Sequence, residues 1–181
     1  MARRLCQLTV ERVRAQEHRA DFIAVRLPYG VQRDADDAQK TLDFIRLDRV
    51  LTVDIKAPSD AMIDALEAAA ARYIDVRQRG FVLGNIKARQ RMIAQYALSG
   101  PAKGMVMGTD HAAEAVMSFF TKYGDGGFDA APLDGLSKRR VRAVGQHLGA
   151  PAARVQKAPL ADLEDLAPQR PDEVVFGLSY E

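Results

Sequence analysis

Apolar and polar positions follow two different periods along this chain, and the switches between them mark its elements. Residues 2–16 carry Leu5, Leu8 and Val13 at helical spacing with charged residues between them, so the chain opens on a helix. Residues 22–27 and 50–55 are short, nearly continuous apolar runs, the first closed by Pro28, Tyr29 and Gly30; both predict strands of a buried sheet. Residues 34–45 between them predict a helix capped by Asp34. An alanine-rich helix is expected over 58–76 with Pro58 in its first turn, and after Gly80 another over 84–98. Residues 105–107 then predict a strand and 110–120 a helix, and 137–148 a helix capped by Ser137 and stopped at Gly149, Ala150 and Pro151. The expected order is α-β-α-β-α-α-β-α-α, with a loop-rich end.

Strands separated by helices of crossover length predict an α/β fold, a parallel sheet with helices on both faces. Such folds usually begin on a strand whose glycine-rich loop holds phosphate. This chain begins inside a helix, so the first strand is expected to be missing from it. At 181 residues and 48% apolar content, residues 1–181 suit one core and therefore one domain. No internal repeat or low-complexity segment interrupts it.

Charge narrows the partners only by exclusion. Lys and Arg number 26 against 24 Asp and Glu, a formal charge of +2, which is not the footprint of a nucleic-acid binder. One cysteine, Cys6, excludes an internal disulfide and a cysteine-based zinc site. No stretch reaches the roughly eighteen apolar residues of a membrane span, and Glu11, Arg12 and Arg14 break up any signal-peptide core. A cytoplasmic protein is the expectation, with neither nucleic acid nor membrane as partner.

The chemistry concentrates in Gly108, Thr109, Asp110, His111 and Glu114, at a strand-to-helix junction, and in the run from Phe119 to Asp129 beyond the helix. Thr109 suits either a helix cap or a phosphate or ribose contact. Asp110 and Glu114 share a face in the first helical turn, where the dipole stabilises a carboxylate by about 0.3–1 kcal/mol each. They suit plain helix stabilisation or a magnesium site completed by water and phosphate. His111 reads as a base or as a structural residue. Three glycines in four positions, Gly124, Gly126 and Gly127, predict a loop of unusual backbone geometry flanked by Lys122 and Asp129. Lys138, Arg139 and Arg140 put basic charge at a helix start, and Asn85, Lys87, Arg89 and Arg91 share a helix with Met92, Ile93 and Tyr96.

Four blocks taken together, Gly84 to Tyr96, Gly108 to Glu114, Phe119 to Gly127, and Pro168 to Glu173, resemble the ammonia-dependent NAD+ synthetases, in order and over nearly the whole chain. The resemblance implies a homodimeric ligase of the Rossmann-like, adenine nucleotide α-hydrolase-like fold. Such an enzyme uses ATP and Mg2+ to adenylate deamido-NAD+ and lets ammonia displace AMP, giving NAD+ and pyrophosphate. By motif position, Thr109 and Lys138 would contact ATP and Glu114 would hold the metal. Arg89, Lys122 and Asp129 would bind deamido-NAD+, and Arg26 and Gln32 would approach the adenine nucleotide. No residue is assigned to the catalytic step itself. The chain contains no recognisable glutaminase domain, so free ammonia is the implied nitrogen source.

The chain departs from that family in three places. The family's Ser-Gly-Gly-x-Asp-Ser phosphate loop does not occur in these residues, its C-terminal Glu-His-Lys tail is absent, and Leu160 stands where a threonine usually contacts ATP. Truncation at both ends is therefore expected. Two readings stay open: a synthetase, or a dimer-forming remnant without turnover that binds nucleotide weakly at most.

Overall fold

A computed structural model describes residues 1–31, 35–70, 75–157, 160–161 and 170–180 of the chain. The opening helix α1 spans Ala2–Arg14, and β1, Ile23–Arg26, pairs in parallel with β2, Arg49–Thr52, in the register Ile23 opposite Arg49 and Arg26 opposite Thr52. Helix α2, Ala35–Ile45, is the crossover that a parallel pair requires. Polar contacts fasten α1 to the far end of this unit. Arg4 Nη1 donates to Ile45 O at 3.1 Å, the buried Gln7 donates to Asp48 at 3.2 Å, and Arg14 pairs with the same Asp48.

The two strands were expected to be buried, and only β1 has an interior position, Ala24. All four residues of β2 are exposed, with Val50 at 40% and Leu51 at 36%. Among the described residues the sheet consists of these two strands, so each is an edge with one partner. The ladder runs on past the strands, Val53 N–H donating to Arg26 O and Ile55 N–H to Pro28 O. There the Asp54 carboxylate accepts the N–H of Lys56 at 2.7 Å and of Gly30 at 3.2 Å, joining the turn after β1 to the start of α3, Lys56–Ala70.

Helix α4 is longer than the pattern predicts. It runs over Val76–Ala102, straight through Gly80 and Gly84, because Asp75 caps it nine residues upstream of the start at residue 84 that the hydrophobic pattern suggests, accepting the N–H of Arg77 at 3.0 Å. Glycine inside a helix costs about 1 kcal/mol relative to alanine, and packing of α3 against α4 offsets it. That packing forms the core: Ile63 of α3 meets Leu83 and Ile86 of α4, with Tyr29, Leu66 and Val82 around them.

The strand expected at 105–107 is a single parallel bridge, Met107 to Ala130, and the helix expected over 110–120 is the short α5, Ala112–Met117. Ser118 stops α5 in the left-handed region at φ 53°. Helix α6, Lys138–His147, has the predicted Ser137 cap. The end of the chain holds more regular structure than expected: α7, Ala152–Val155, an antiparallel pair of β3, Leu160–Ala161, with β4, Arg170–Pro171, and α8, Asp172–Phe176.

Candidate functional site

The chemistry gathers where the Met107 segment runs out into α5. Gly108 N–H donates to Ala130 O at 2.8 Å, and a Cβ on Gly108 would overlap the ring of Phe128, so only glycine lets that ring lie against the backbone here. Thr109 follows it and is exposed. The cap of α5 is not Thr109 but His111, which is 3% exposed. His111 Nδ1 lies 3.5 Å from the backbone N of Glu114, and the Glu114 carboxylate accepts the backbone N–H of His111 at 3.1 Å, a reciprocal capping box with imidazole in place of a hydroxyl.

Helix α6 supplies the third member. Lys138, its first residue, brings Nζ to 3.0 Å from His111 Nε2, and the same ring nitrogen lies 3.3 Å from Glu114 Oε1. Ala112 N–H donates to Leu136 O at 3.0 Å, which fixes the start of α5 against the segment leading into α6. From the end of the chain, Tyr180 closes over the group. Its ring lies 5.2 Å from Lys138 Nζ and meets the His111 ring edge-on at 6.0 Å, while its hydroxyl donates to the buried Asp172 at 3.0 Å. Tyr180 and Asp172 carried no role in the sequence reading. Asp172 lay inside a recognised block without an assigned task, and nothing local marks Tyr180.

Burial dominates the electrostatics of this junction. It pushes the Asp110 carboxyl up to about 6, helped by the nearby charges of Asp125 and Glu114. It raises Glu114 as well, opposed by Lys138 and by the His111 N–H. Lys138 is lowered by burial against the pull of Glu114 and Asp172. His111 is lowered to about 4 by burial and by the Lys138 charge, so its imidazole is neutral at neutral pH. Among the described residues no three His, Cys, Asp or Glu side chains form a metal-holding group. One carboxylate beside like charges is nevertheless what magnesium uses when phosphate and water complete its shell, and Glu114 fits that role.

A second cluster lies against α4. Arg89 Nε donates to Lys122 O at 3.2 Å, and Lys122 Nζ lies 5.1 Å from the Tyr123 ring. Asp129 accepts the N–H of Val106 at 2.7 Å and the hydroxyl of Tyr96 at 3.0 Å. Arg89 and Tyr96 are two turns apart on α4, so the helix carries both contacts on one side. The glycines of the intervening loop serve close approach rather than unusual dihedrals, a correction to the sequence reading. Among them none has a positive φ, whereas Tyr123 does, at 59°. A Cβ on Gly124 would stand 2.9 Å from Ala88 Cβ, and one on Gly127 3.0 Å from Met92 Cγ, so the loop sits directly on α4. Asp125 secures its start by accepting the N–H of Thr121 at 2.8 Å.

Arg26 stands apart from both clusters. It lines an open depression of about 360 Å³ with Leu42, Asp43, Arg46, Val50 and Thr52, and its Nε is buried without a hydrogen-bond partner among the described residues. Gln32 lies outside the described residues.

The family model described as NAD synthase matches residues 1–181. An NH3-dependent NAD+ synthetase from Streptomyces coelicolor is 64% identical over 180 residues, 99% of this chain and 65% of that protein. One from Burkholderia mallei is 59% identical, over 99% and 63%. The crystal structure of an NAD+ synthetase from Burkholderia pseudomallei superposes with a TM-score of 0.82 at 57% identity, covering 99% of this chain and 65% of that one. An NMN synthetase from Francisella tularensis superposes with a TM-score of 0.77 at 28% identity, over 98% and 68%. The chain thus spans slightly less than two thirds of the length of the curated relatives it matches. The expected α/β architecture is the one observed, a Rossmann-like adenine nucleotide α-hydrolase fold. With a match over every residue and a shared fold behind it, the chain belongs to the NAD synthase family.

Proposed function

We propose that this chain carries the ATP and deamido-NAD+ sites of an ammonia-dependent NAD+ synthetase. The observation that carries the reading is the α5–α6 junction, where Lys138 and Glu114 flank one buried imidazole beside the exposed Thr109. A carboxylate is a poor electrophile, and adenylation of the nicotinate carboxylate supplies a leaving group before ammonia attacks. Lys138 offers its ammonium to the ATP phosphates and Thr109 its hydroxyl; charge placed where pyrophosphate departs stabilises the transition state. Glu114 holds magnesium, which when bound neutralises further phosphate charge. Arg89, Lys122 and Asp129 bind deamido-NAD+ on the α4 side. Arg26 and Gln32 approach the adenine nucleotide.

The same reading takes the 181 residues as one domain acting in the cytoplasm as a homodimer, with neither nucleic acid nor membrane as partner. Exposed Phe81 at 61% and Ile93 at 52% support a dimer contact along α4. No helix of the described residues is long and apolar enough to cross a membrane. The test supplies the purified chain with ATP, magnesium, ammonium and deamido-NAD+. NAD+ formed in step with pyrophosphate is the expected result, and failure to bind ATP at all would sink the reading. Binding without turnover would select the remnant instead.

A further inference from the structure

His111 faces two demands that a neutral imidazole cannot meet together. As the cap of α5 its Nδ1 must accept the Glu114 N–H, 3.5 Å away, which requires the ring proton to sit on Nε2. But Nε2 is 3.0 Å from Lys138 Nζ, and an ammonium has only donors, so a charged Lys138 requires Nε2 bare and the proton on Nδ1. The distances rank the two contacts: 3.0 Å is an ordinary hydrogen bond, and 3.5 Å lies at the outer edge of one. With Lys138 served, Nε2 has no proton to give Glu114 Oε1 at 3.3 Å. Bulk water is no substitute partner, because His111 is 3% exposed and Tyr180 covers the pair.

We propose that His111 is a tautomeric coupler between Lys138 and Glu114. While Lys138 donates to the ring, the proton rests on Nδ1 and the cap of α5 stays open. When an anion draws the ammonium away, the space it leaves admits water to the ring: Nε2 takes a proton from it and donates to Glu114 Oε1, and Nδ1 gives its proton up and closes on the Glu114 N–H. The ring gains and loses one proton, so its charge is unchanged. Occupation of Lys138 then orients the Glu114 carboxylate through a side chain that touches neither nucleotide nor metal, and His111 is a positioning residue. That the anion is an ATP phosphate rests on the function proposed above; the coupling between the three side chains does not.

The test is a two-bond proton–nitrogen correlation spectrum of the chain labelled with 15N-histidine, near neutral pH. The chain has three histidines, and His111→Asn identifies the ring in question. The expected result is a proton on Nδ1 in the unmodified chain and on Nε2 in Lys138→Met. A proton on Nε2 in the unmodified chain overturns the coupler without any variant, and so does an identical tautomer in both. Addition of ATP to the unmodified chain is expected to move the proton to Nε2. If Lys138→Met moves it and ATP does not, the coupler stands and the placement of ATP on Lys138 fails.

Discussion

The α5–α6 junction and the loop on α4 both surround charged side chains with glycine, yet opposite forces hold them. In the junction the titratable groups are themselves the structure: His111 stands at the cap position of α5, Glu114 accepts its backbone N–H, and Lys138 and Tyr180 close the group. In the loop the framework is steric, with Gly124 and Gly127 pressed onto Ala88 and Met92, while Arg89, Lys122 and Asp129 remain exposed. A change of charge should therefore be felt in the first region and a change of volume in the second.

Loss of the Lys138 ammonium should have the largest effect. Lys138→Ala is expected to lower kcat/KM for ATP by roughly 10²–10³-fold, the usual scale for removing one preorganised donor, followed by pyrophosphate release. Lys122→Ala should act instead on deamido-NAD+, and an equal loss toward ATP would erase the distinction between the regions.

Volume is the next lever. Gly124→Ala should destabilise the fold by about 1–3 kcal/mol in urea denaturation, since its Cβ would meet Ala88 and Thr121 at 2.9–3.0 Å. Gly104→Ala, whose Cβ would meet Ser99 O at an ordinary 3.8 Å, should cost less than about 0.5 kcal/mol. Comparable costs would refute the steric account of the loop. At the junction, His111→Ala should cost about 1.5–3 kcal/mol because it removes the acceptor of the Lys138 ammonium, and His111→Asn should cost less because its amide oxygen also accepts.

The smallest effect is in pH dependence, where two junction residues pull in opposite senses. Asp110, raised to about 6 in the folded chain, binds its proton more tightly there than when unfolded, so its contribution to stability falls as pH rises toward 6. His111, lowered to about 4, does the reverse: the unfolded chain binds more protons, so stability rises between about 4 and 6.5. Asp110→Asn should make stability climb more steeply with pH over that window, and His111→Asn should flatten or invert the climb. Denaturation midpoints from pH 4 to 6.5 that shift in the same sense for both variants would break the assignment.

Much of this molecule could be read along the chain because the forces concerned act over one turn. Ser137 before α6, the helical period of α1 and the crossover between two apolar runs are local patterns, and each has its structural counterpart. The family blocks likewise lie in continuous stretches. Errors came where neighbours distant in sequence intervene. Residues 50–52 have the composition of a buried strand but stand exposed, and the loop glycines suggest unusual dihedrals because the helix they rest on is some 33 residues away, as between Arg89 and Lys122.

The order of the first six elements, the family and the cluster of polar residues after Gly108 follow from the chain itself, since periodicity, capping and motif order are properties of short windows. Which of those polar residues meet is a matter of folding. Thr109 stays exposed while His111, one of the least conspicuous of them, turns inward to Lys138 across 27 residues and comes to lie beneath Tyr180. Close packing selects such contacts through shape and burial, and no local pattern encodes either.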